Sequence, residues 1–437
     1  MATPRKRLLL FASKLGYQTR SFDEAARRLD IDLGFVTDRC HQLDDPWGDR
    51  AIAVHFESPD AAAHTVLEAV RGRGGVEGIV ALGDRPTVAA AYVARGLGLP
   101  YNHPAAVEAC RSKLRTREVF RDAGLHVPWF RAVSLRPVPE PALLGISYPC
   151  VLKPISLSAS QGVMRVNDRD EFLAGATRIR RLLESPEILA SREANLDQMI
   201  VEGYIPGREV ALEGLLTDGV LRVLAIFDKP DPLEGPFFEE TIYVTPSRLT
   251  EAKSDIERGA VDAVRALGLS HGPVHAEFRI NEQGVWPLEV APRPIGGLCA
   301  RALRFSAGKE SEAIGLEELL LCHALGLPRR DWAREGVASG VMMIPVPRSG
   351  MLERVAGEEE ARAIPGISEL EITARLHDYV AAWPEGSSYL GFLFARSGTP
   401  EEVEKALRIA HSRLIVTLSA RLAVEHPATR RILGQRN

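Results

Sequence analysis

The stretch YPCVLKPISLSASQG, Tyr148 to Gly162, decides how the rest of the chain is read. It opens as a buried strand, because Pro149, Cys150, Val151 and Leu152 offer no charge to water. Lys153 and Pro154 follow, then a loop of small hydroxylic residues, Ser156, Ser158 and Ser160, that ends on Gly162. The ordinary explanation is that the lysine stem covers apolar surface while its ammonium snorkels to water, and that the loop is a turn. Whether that explanation holds depends on what else the chain carries.

The chain has 437 residues, enough for about two to four domains. It is 45% hydrophobic and 26% charged, an ordinary soluble composition. A formal net charge of −4 gives no bulk attraction to nucleic acid or to an anionic membrane, so neither is expected as a partner. The five cysteines, Cys40, Cys110, Cys150, Cys299 and Cys322, are scattered and show no metal-ligand spacing. Cys150 and Cys322 sit in apolar runs and read as core thiols, which fits a reducing, cytoplasmic location. The apolar run Leu8 to Ala12 is too short for a signal-peptide core. No segment approaches the roughly 20 apolar residues of a membrane span.

Working outward, residues 5–105 alternate short apolar strands with amphipathic helices. Strands are expected at Arg7 to Ala12, Ile31 to Thr37 and Gly78 to Gly83. Helices are expected at Ser21 to Leu29, with a serine cap, at Pro59 to Arg71 and at Thr87 to Arg95. This βαβ pattern implies a parallel, Rossmann-like sheet. The first strand is followed by SKLGY and not GxGxxG, which argues against a dinucleotide site, and no GxxxxGK[ST] occurs. Beyond 106 a helix is expected over Ala105 to Ala123, then a β-rich middle with a hairpin turning at Thr217-Asp218-Gly219. Residues 338–398 add strands, and Pro400 to Val424 reads as a long closing helix. The fold class is α/β and α+β multidomain. Four parts are expected: 1–105 a Rossmann-like substrate domain, 106–200 a small subdomain, 201–330 a large subdomain, and 331–437 a β-rich closing subdomain.

The segment VHAEFRINEQGVWPLEVAPR, Val274 to Arg293, reads as a second hairpin. A three-residue loop Glu282-Gln283-Gly284 would pair Phe278 with Leu288, Ala276 with Val290 and Ile280 with Trp286 on an apolar face. The other face would then carry Glu277 opposite Glu289, with His275 and Arg293 further along. Two acids so paired repel unless a cation lies between them. One reading is a solvated face screened by Arg279 and Arg293. The other is a divalent-metal site, since Mg²⁺ takes hard oxygen ligands. A two-residue loop would send the two glutamates to opposite faces.

In chain order these pieces form a set: Lys113 in SKLRTREVFRDAGL, Lys153 before its loop, VEGYIPGREV from Val201 to Val210, the glutamate hairpin, and Arg293 in APRPIGG. The set resembles the ATP-grasp superfamily of carboxylate–amine ligases over residues 1–400, and most of all the L-amino acid ligases that make dipeptides. LEVAPRP is also similar to the ATPase subunit of phosphoribosylaminoimidazole carboxylase and to formate-dependent glycinamide ribonucleotide transformylase. The resemblance implies an ATP-grasp fold with ATP and Mg²⁺, or Mn²⁺ in its place. Lys113 and Lys153 would contact the α- and β-phosphates, and the loop with Ser158, Ser160 and Gly162 would fold over them as an anion nest. Glu202 and the backbone of Tyr204 and Ile205 would hold the adenine edge, and Glu209 the ribose. Glu277 and Glu289 would bind the metal, and Arg293 would steady the transferring phosphate or acyl-phosphate. Many relatives carry Asn two residues after the second glutamate. Ala291 stands there in this chain and would cost a second metal one protein ligand.

The reaction so implied activates a carboxylate as an acyl-phosphate and joins it to an amine. Glu240, in the loop FDKPDPLEGPFFEETIYVTPS, is the candidate to assist amine deprotonation, or it lies on a plain surface excursion. Gly296 and Gly297 either turn the chain or aim N–H groups at an anion. His275 is either packed or functional. Two other activities compete: a purine-pathway or biotin-carboxylase-like enzyme activating formate or bicarbonate, and a non-catalytic ATP-binding module. Substrates would be small molecules, and a homodimer is implied by resemblance alone.

Overall fold

The computed structural model describes residues 5–13, 16–38, 51–71, 75–138, 140–141, 145–308, 311–327 and 331–420. Strands β1 (Arg7–Ala12), β2 (Asp32–Thr37), β3 (Ala51–Ala53) and β4 (Gly78–Leu82) make a parallel sheet in the order β3-β2-β1-β4. Leu9, Phe11, Val36 and Ile79 are buried against helices α2 (Pro59–Val70) and α3 (Asp84–Leu97), as βαβ crossovers require. Helix α1 spans Tyr17–Arg28, so the expected cap at Ser21 is overturned. Gly16 is the N-cap, and its N–H donates to Thr19 Oγ1 at 2.9 Å, which leaves Ser21 inside the first turns. Cys40 and part of SKLGY lie outside the described residues.

The single helix expected over Ala105 to Ala123 is two: α4 (Pro104–Arg111) and α5 (Lys113–Asp122). Ser112 breaks them. Its extended backbone ends α4, and its Oγ accepts the Arg115 N–H at 3.3 Å to cap α5. The break places Lys113 at the first position of α5, where its own N–H donates to Ile155 O at 3.2 Å.

Strands β5 (Phe130–Ser134), β6 (Cys150–Pro154), β7 (Met164–Val166) and β8 (Gln198–Gly203) form an antiparallel sheet in the order β5-β8-β6-β7. Helix α6 (Arg169–Leu183) covers one face, burying Phe172, Ala176 and Ile179 against Leu152 and Val201. Asp168 caps it by accepting the Asp170 and Glu171 N–H groups, both at 2.9 Å.

A larger sheet follows, built from β9 (Arg208–Thr217), β10 (Val220–Asp228), β11 (Ile242–Thr245), β12 (Gly272–Asn281) and β13 (Gly284–Ala291), with helix α7 (Lys253–Ala266) packed on β13. The β9–β10 turn is shorter than expected, with Thr217 paired to Val220 and left-handed Asp218 and Gly219 between them. Three later strands, β14 (Ala338–Ile344), β15 (Ile367–Ile372) and β16 (Gly391–Ser397), continue the same sheet, so its order is β13-β12-β9-β10-β11-β14-β16-β15.

Helix α8 spans only Pro400–His411, not Pro400 to Val424. Ile415–Ser419 is instead a strand paired with Gly350–Ala356, because the alternating IVTLS fits a half-buried ladder better than a helix. Residues 421–424 lie outside the described residues. No helix among the described residues is long and apolar enough to cross a membrane.

Candidate active site

The glutamate hairpin departs from its expected register twice. Asn281 pairs with Gly284, so the loop is the two residues Glu282 and Gln283, and Phe278 faces Pro287, not Leu288. That loop alone would have sent Glu277 and Glu289 to opposite faces. A β-bulge between Phe278 and Glu277 absorbs Leu288 and restores the pair Glu277↔Glu289. Ile280 pairs with Val285, while Trp286 stands opposite Arg279 and donates Nε1–H to Asn281 Oδ1 at 3.1 Å. Leu288 and Glu289 both line the cleft. Arg117, on α5, grips the bulge by donating Nη1–H to Leu288 O at 2.9 Å.

A cleft open to solvent lies between the β5–β8 sheet and the large sheet. Val151, Val163 and Phe238 give it apolar walls, and Lys113, Lys153, Ser158, Ser160, Glu202, Tyr204, Ile205, Glu209, Glu240 and Glu277 complete it. Lys153 therefore does not snorkel to the surface. Its ammonium pairs with the Glu202 carboxylate, which Arg117 holds from the other side at 2.8 Å. Burial disfavours both charges. It pulls Lys153 below the usual ammonium range, yet Arg117 and Lys153 overcome it at Glu202 and hold that carboxyl at about 2.

Lys113 bends back to the carbonyl of Leu157 in the serine loop. Ala159, Ser160 and Gly162 there adopt left-handed backbone (φ 55°, 52° and 74°), the geometry of an anion-binding nest. Gly162 is needed for a second reason: a Cβ would stand 2.8 Å from the Pro154 ring. Its N–H, however, is already donated to Pro384 O at 2.8 Å. Tyr204 donates its N–H to Pro149 O at 3.2 Å, and Ile205 O accepts Arg279 Nη1–H at 2.6 Å.

The far end of the cleft is acidic. Glu209, Glu240 and Glu277 bring carboxylate oxygens within 4.8 Å of one another. The buried ammonium of Lys229 sits among them, at 2.8 Å from Glu209 and 2.9 Å from each of the others. Arg279 adds a second contact to Glu209 at 2.9 Å. Burial opposes the Lys229 charge, but the three carboxylates raise its affinity for the proton well above the ordinary value. Glu240 also accepts the Tyr243 hydroxyl. Burial, then the Glu277 charge, lifts Glu240 to about 7 in spite of Lys229. His275 is buried with Nδ1 on Glu213 and Nε2 3.4 Å from Glu277; burial alone would lower it, and the two carboxylates raise it to about 9.

Arg293 is not among the residues lining this cleft. It pairs with Asp84 at the start of α3, at 2.5 Å, and tethers the hairpin to the parallel sheet. Gly296 and Gly297 follow in a turn beside Ile295, whose N–H donates to Glu213 Oε2 at 3.2 Å. A Cβ on Gly297 would meet Phe392 at 2.8 Å, so tight packing accounts for that glycine.

Reading the sequence missed Lys229, Arg117, Glu213 and Asp84. Lys229 alone had a signal: Phe227-Asp228-Lys229-Pro230 repeats the pattern of an apolar strand closed by Lys-Pro, as at Lys153.

Lys153 on one sheet, Lys113 at the head of α5 beside it, opposing carboxylates on the other sheet and a left-handed serine loop at the cleft make the arrangement of the ATP-grasp fold. Residues 146–302 match the ATP-grasp domain profile, 23–101 the ATP-grasp N-terminal domain and 342–419 the L-amino acid ligase C-terminal domain 2. Within that class the chain is like the L-amino acid ligases. The L-amino acid ligase of Bacillus licheniformis superposes with a TM-score of 0.77 at 26% identity, over 95% of this chain and 100% of that one. The alanine–anticapsin ligase of Bacillus subtilis is 30% identical over 199 residues, 42% of this chain and 41% of that protein. The ATP-grasp enzyme fsqD of Aspergillus fumigatus is 26% identical over 380 residues, 75% of this chain and 63% of that protein. The chain thus spans less than two thirds of either of these two relatives.

The cleft fits a nucleotide and a hard cation. Tyr204 packs with the apolar Val151, Val163 and Phe238 on its wall, and Lys113 and Lys153 supply cations. Glu277 and Glu289 face each other in register, and the Glu289 carboxylate makes no ion pair or hydrogen bond among the described residues. An all-oxygen donor pair of this kind suits Mg²⁺.

Proposed function

We propose that this chain is an ATP- and Mg²⁺-dependent ligase that joins a small carboxylate substrate, an amino acid, to the amine of another. The observation that carries the reading is the junction in one cleft of the Lys113–Lys153 end with the Glu240–Glu277–Glu289 end. Lys113, Lys153, Ser158 and Ser160 hold the phosphates, and Gly162, whose N–H is donated to Pro384 O, turns the loop. Glu202, Tyr204 and Ile205 line the adenine end, and Glu209 lies toward the ribose. Glu277 and Glu289 hold the metal. When bound, Mg²⁺ neutralises phosphate charge and orients the γ-phosphoryl group.

The substrate carboxylate attacks the γ-phosphorus, the bond to the bridging oxygen breaks, and ADP leaves. The amine nitrogen then attacks the acyl carbon of the acyl-phosphate, and phosphate departs with the oxygen it shared. The nitrogen loses one proton, which Glu240 accepts, since a carboxyl lifted to about 7 is a competent base near neutrality. His275 keeps Glu277 ionised and aimed, with Glu213 fixing the ring from behind. Arg293, anchored by Asp84 and within range of the Glu289 charge, is the candidate to steady a substrate carboxylate or acyl-phosphate.

The test is ATP consumption with Mg²⁺ over a matrix of amino acid pairs, with ADP, AMP and phosphate assayed separately and Lys153→Ala as control. ADP, phosphate and an amide of the summed mass are expected. AMP and pyrophosphate would overturn the acyl-phosphate route. Stimulation by bicarbonate or formate alone would transfer the site to a one-carbon acid.

A further inference from the structure

The turn Trp383–Gly386 lies more than two hundred residues beyond the phosphate loop in the chain, yet two hydrogen bonds join it to that loop and a third contact joins it to α6. Gly162 donates its N–H to Pro384 O at 2.8 Å, and Gln161 Nε2 donates to Glu385 O at 2.7 Å. Arg178, on α6, meets the Glu385 carboxylate with both arms of its fork, one of them at 2.8 Å. The same guanidinium lies 5.0 Å above the Phe237 ring, in the segment that carries Glu240. Phe237 in turn bridges to Met164 of β7.

The turn is built to be stiff. Trp383 is 8% exposed and stacks on Tyr389 with ring centroids 4.8 Å apart. Gly386 admits no side chain, because a Cβ would stand 2.1 Å from Ala381 O. The loop it touches is strained by comparison, with Ala159 and Ser160 held in left-handed backbone that non-glycine residues rarely adopt. Strain of that kind persists only where the surroundings impose it.

We infer that the turn Trp383–Gly386 is a latch that holds the phosphate loop shut, with Gln161, Arg178 and Glu385 as positioning residues. This rests on the ligase reading for its chemical consequence and on the contacts alone for its geometry. A closed loop keeps water from the acyl-phosphate. When the loop opens, a water oxygen attacks the acyl carbon, the bond to phosphate breaks, and the free carboxylic acid and phosphate result. ATP is then spent with no amide formed. The latch gives the 342–419 region a part in coupling the two half-reactions.

Two measurements on the full chain test this. The first is the ratio of phosphate released to amide formed in Gln161→Ala, Glu385→Ala and the charge swap Arg178→Glu with Glu385→Arg. Loss of one such contact should raise the ratio about two- to tenfold, and the swap should return it toward the parent value. The second is hydrogen exchange at the Gly162 amide with Mg²⁺ and adenylyl imidodiphosphate bound. Exchange should quicken by a similar factor in both single variants. An unchanged Gly162 rate in both would overturn the latch, whether or not the chain ligates anything. If the parent chain forms no amide with any pair, the ligase reading fails, and the exchange rates still decide the latch.

Discussion

At one end of the cleft Arg117 and Lys153 share the Glu202 carboxylate; at the other Lys229 sits among Glu209, Glu240 and Glu277, with Arg279 also on Glu209 and His275 beside Glu277. Both clusters are buried, and burial penalises every charge in them. The first has cations in excess and suits an anion. The second has carboxylates in excess and suits a cation, with Glu289 facing it across the hairpin. A nucleotide chelating a divalent metal presents those two charges in that order along its length. The comparison teaches that each cluster is incomplete in the sense its ligand would complete.

The largest effect should come from removing the Lys229 ammonium at the acidic end. Lys229→Met leaves three buried carboxylates without their shared partner and should cost about 3–5 kcal/mol, read as a lowered urea midpoint. If Mg²⁺ alone restores the parent midpoint, lysine and metal are interchangeable there. Next, Glu277→Gln should lower ATP turnover about 10²- to 10³-fold and shift the Mg²⁺ titration to higher concentration. An unshifted titration would remove Glu277 from the metal site.

At the basic end, pH is the probe. The Glu202 pKa is lowered from 4.5 to about 2, so its contribution is present above 4.5 and lost as pH falls toward 2. By linkage that is about 3 kcal/mol at most, measured as unfolding free energy against pH, and Glu202→Gln should flatten that window. The smallest effect belongs to Glu240→Gln, which should raise the KM for the amine and cut kcat/KM about 10²-fold. The parent profile should fall as pH drops below about 7, where Glu240 gains its proton, and the variant should lose that limb. Unchanged kinetics would return Glu240 to a supporting role beside Tyr243.

Much of this was legible in the sequence, where the signal was local. Periodicity located the parallel sheet, because strands buried on both faces are continuous apolar runs. The Lys153 loop was legible from its abrupt change of residue size and polarity. The glutamate pair was found through a loop length that the structure replaces: the expected three-residue turn is a two-residue turn plus a bulge. Lys229 reaches Glu277 across 48 residues and Arg117 reaches Leu288 across 171, and no periodicity encodes such meetings. The closing helix was overextended because a helical stretch ran into an alternating one without a glycine or proline to mark the change.

The bulge at Leu288 is stored length. Counting back from the two-residue turn, a regular ladder would place position 288 opposite Glu277, so deleting Leu288 would slide Glu289 into that place. The carboxylates would still face each other, and everything beyond them would keep its register. What would vanish is the carbonyl that Arg117 holds. The spare residue is therefore a mooring point: it ties α5, with Lys113 at its head, to the strand that carries the second acid, and it fixes the spacing between the two ends of the cleft.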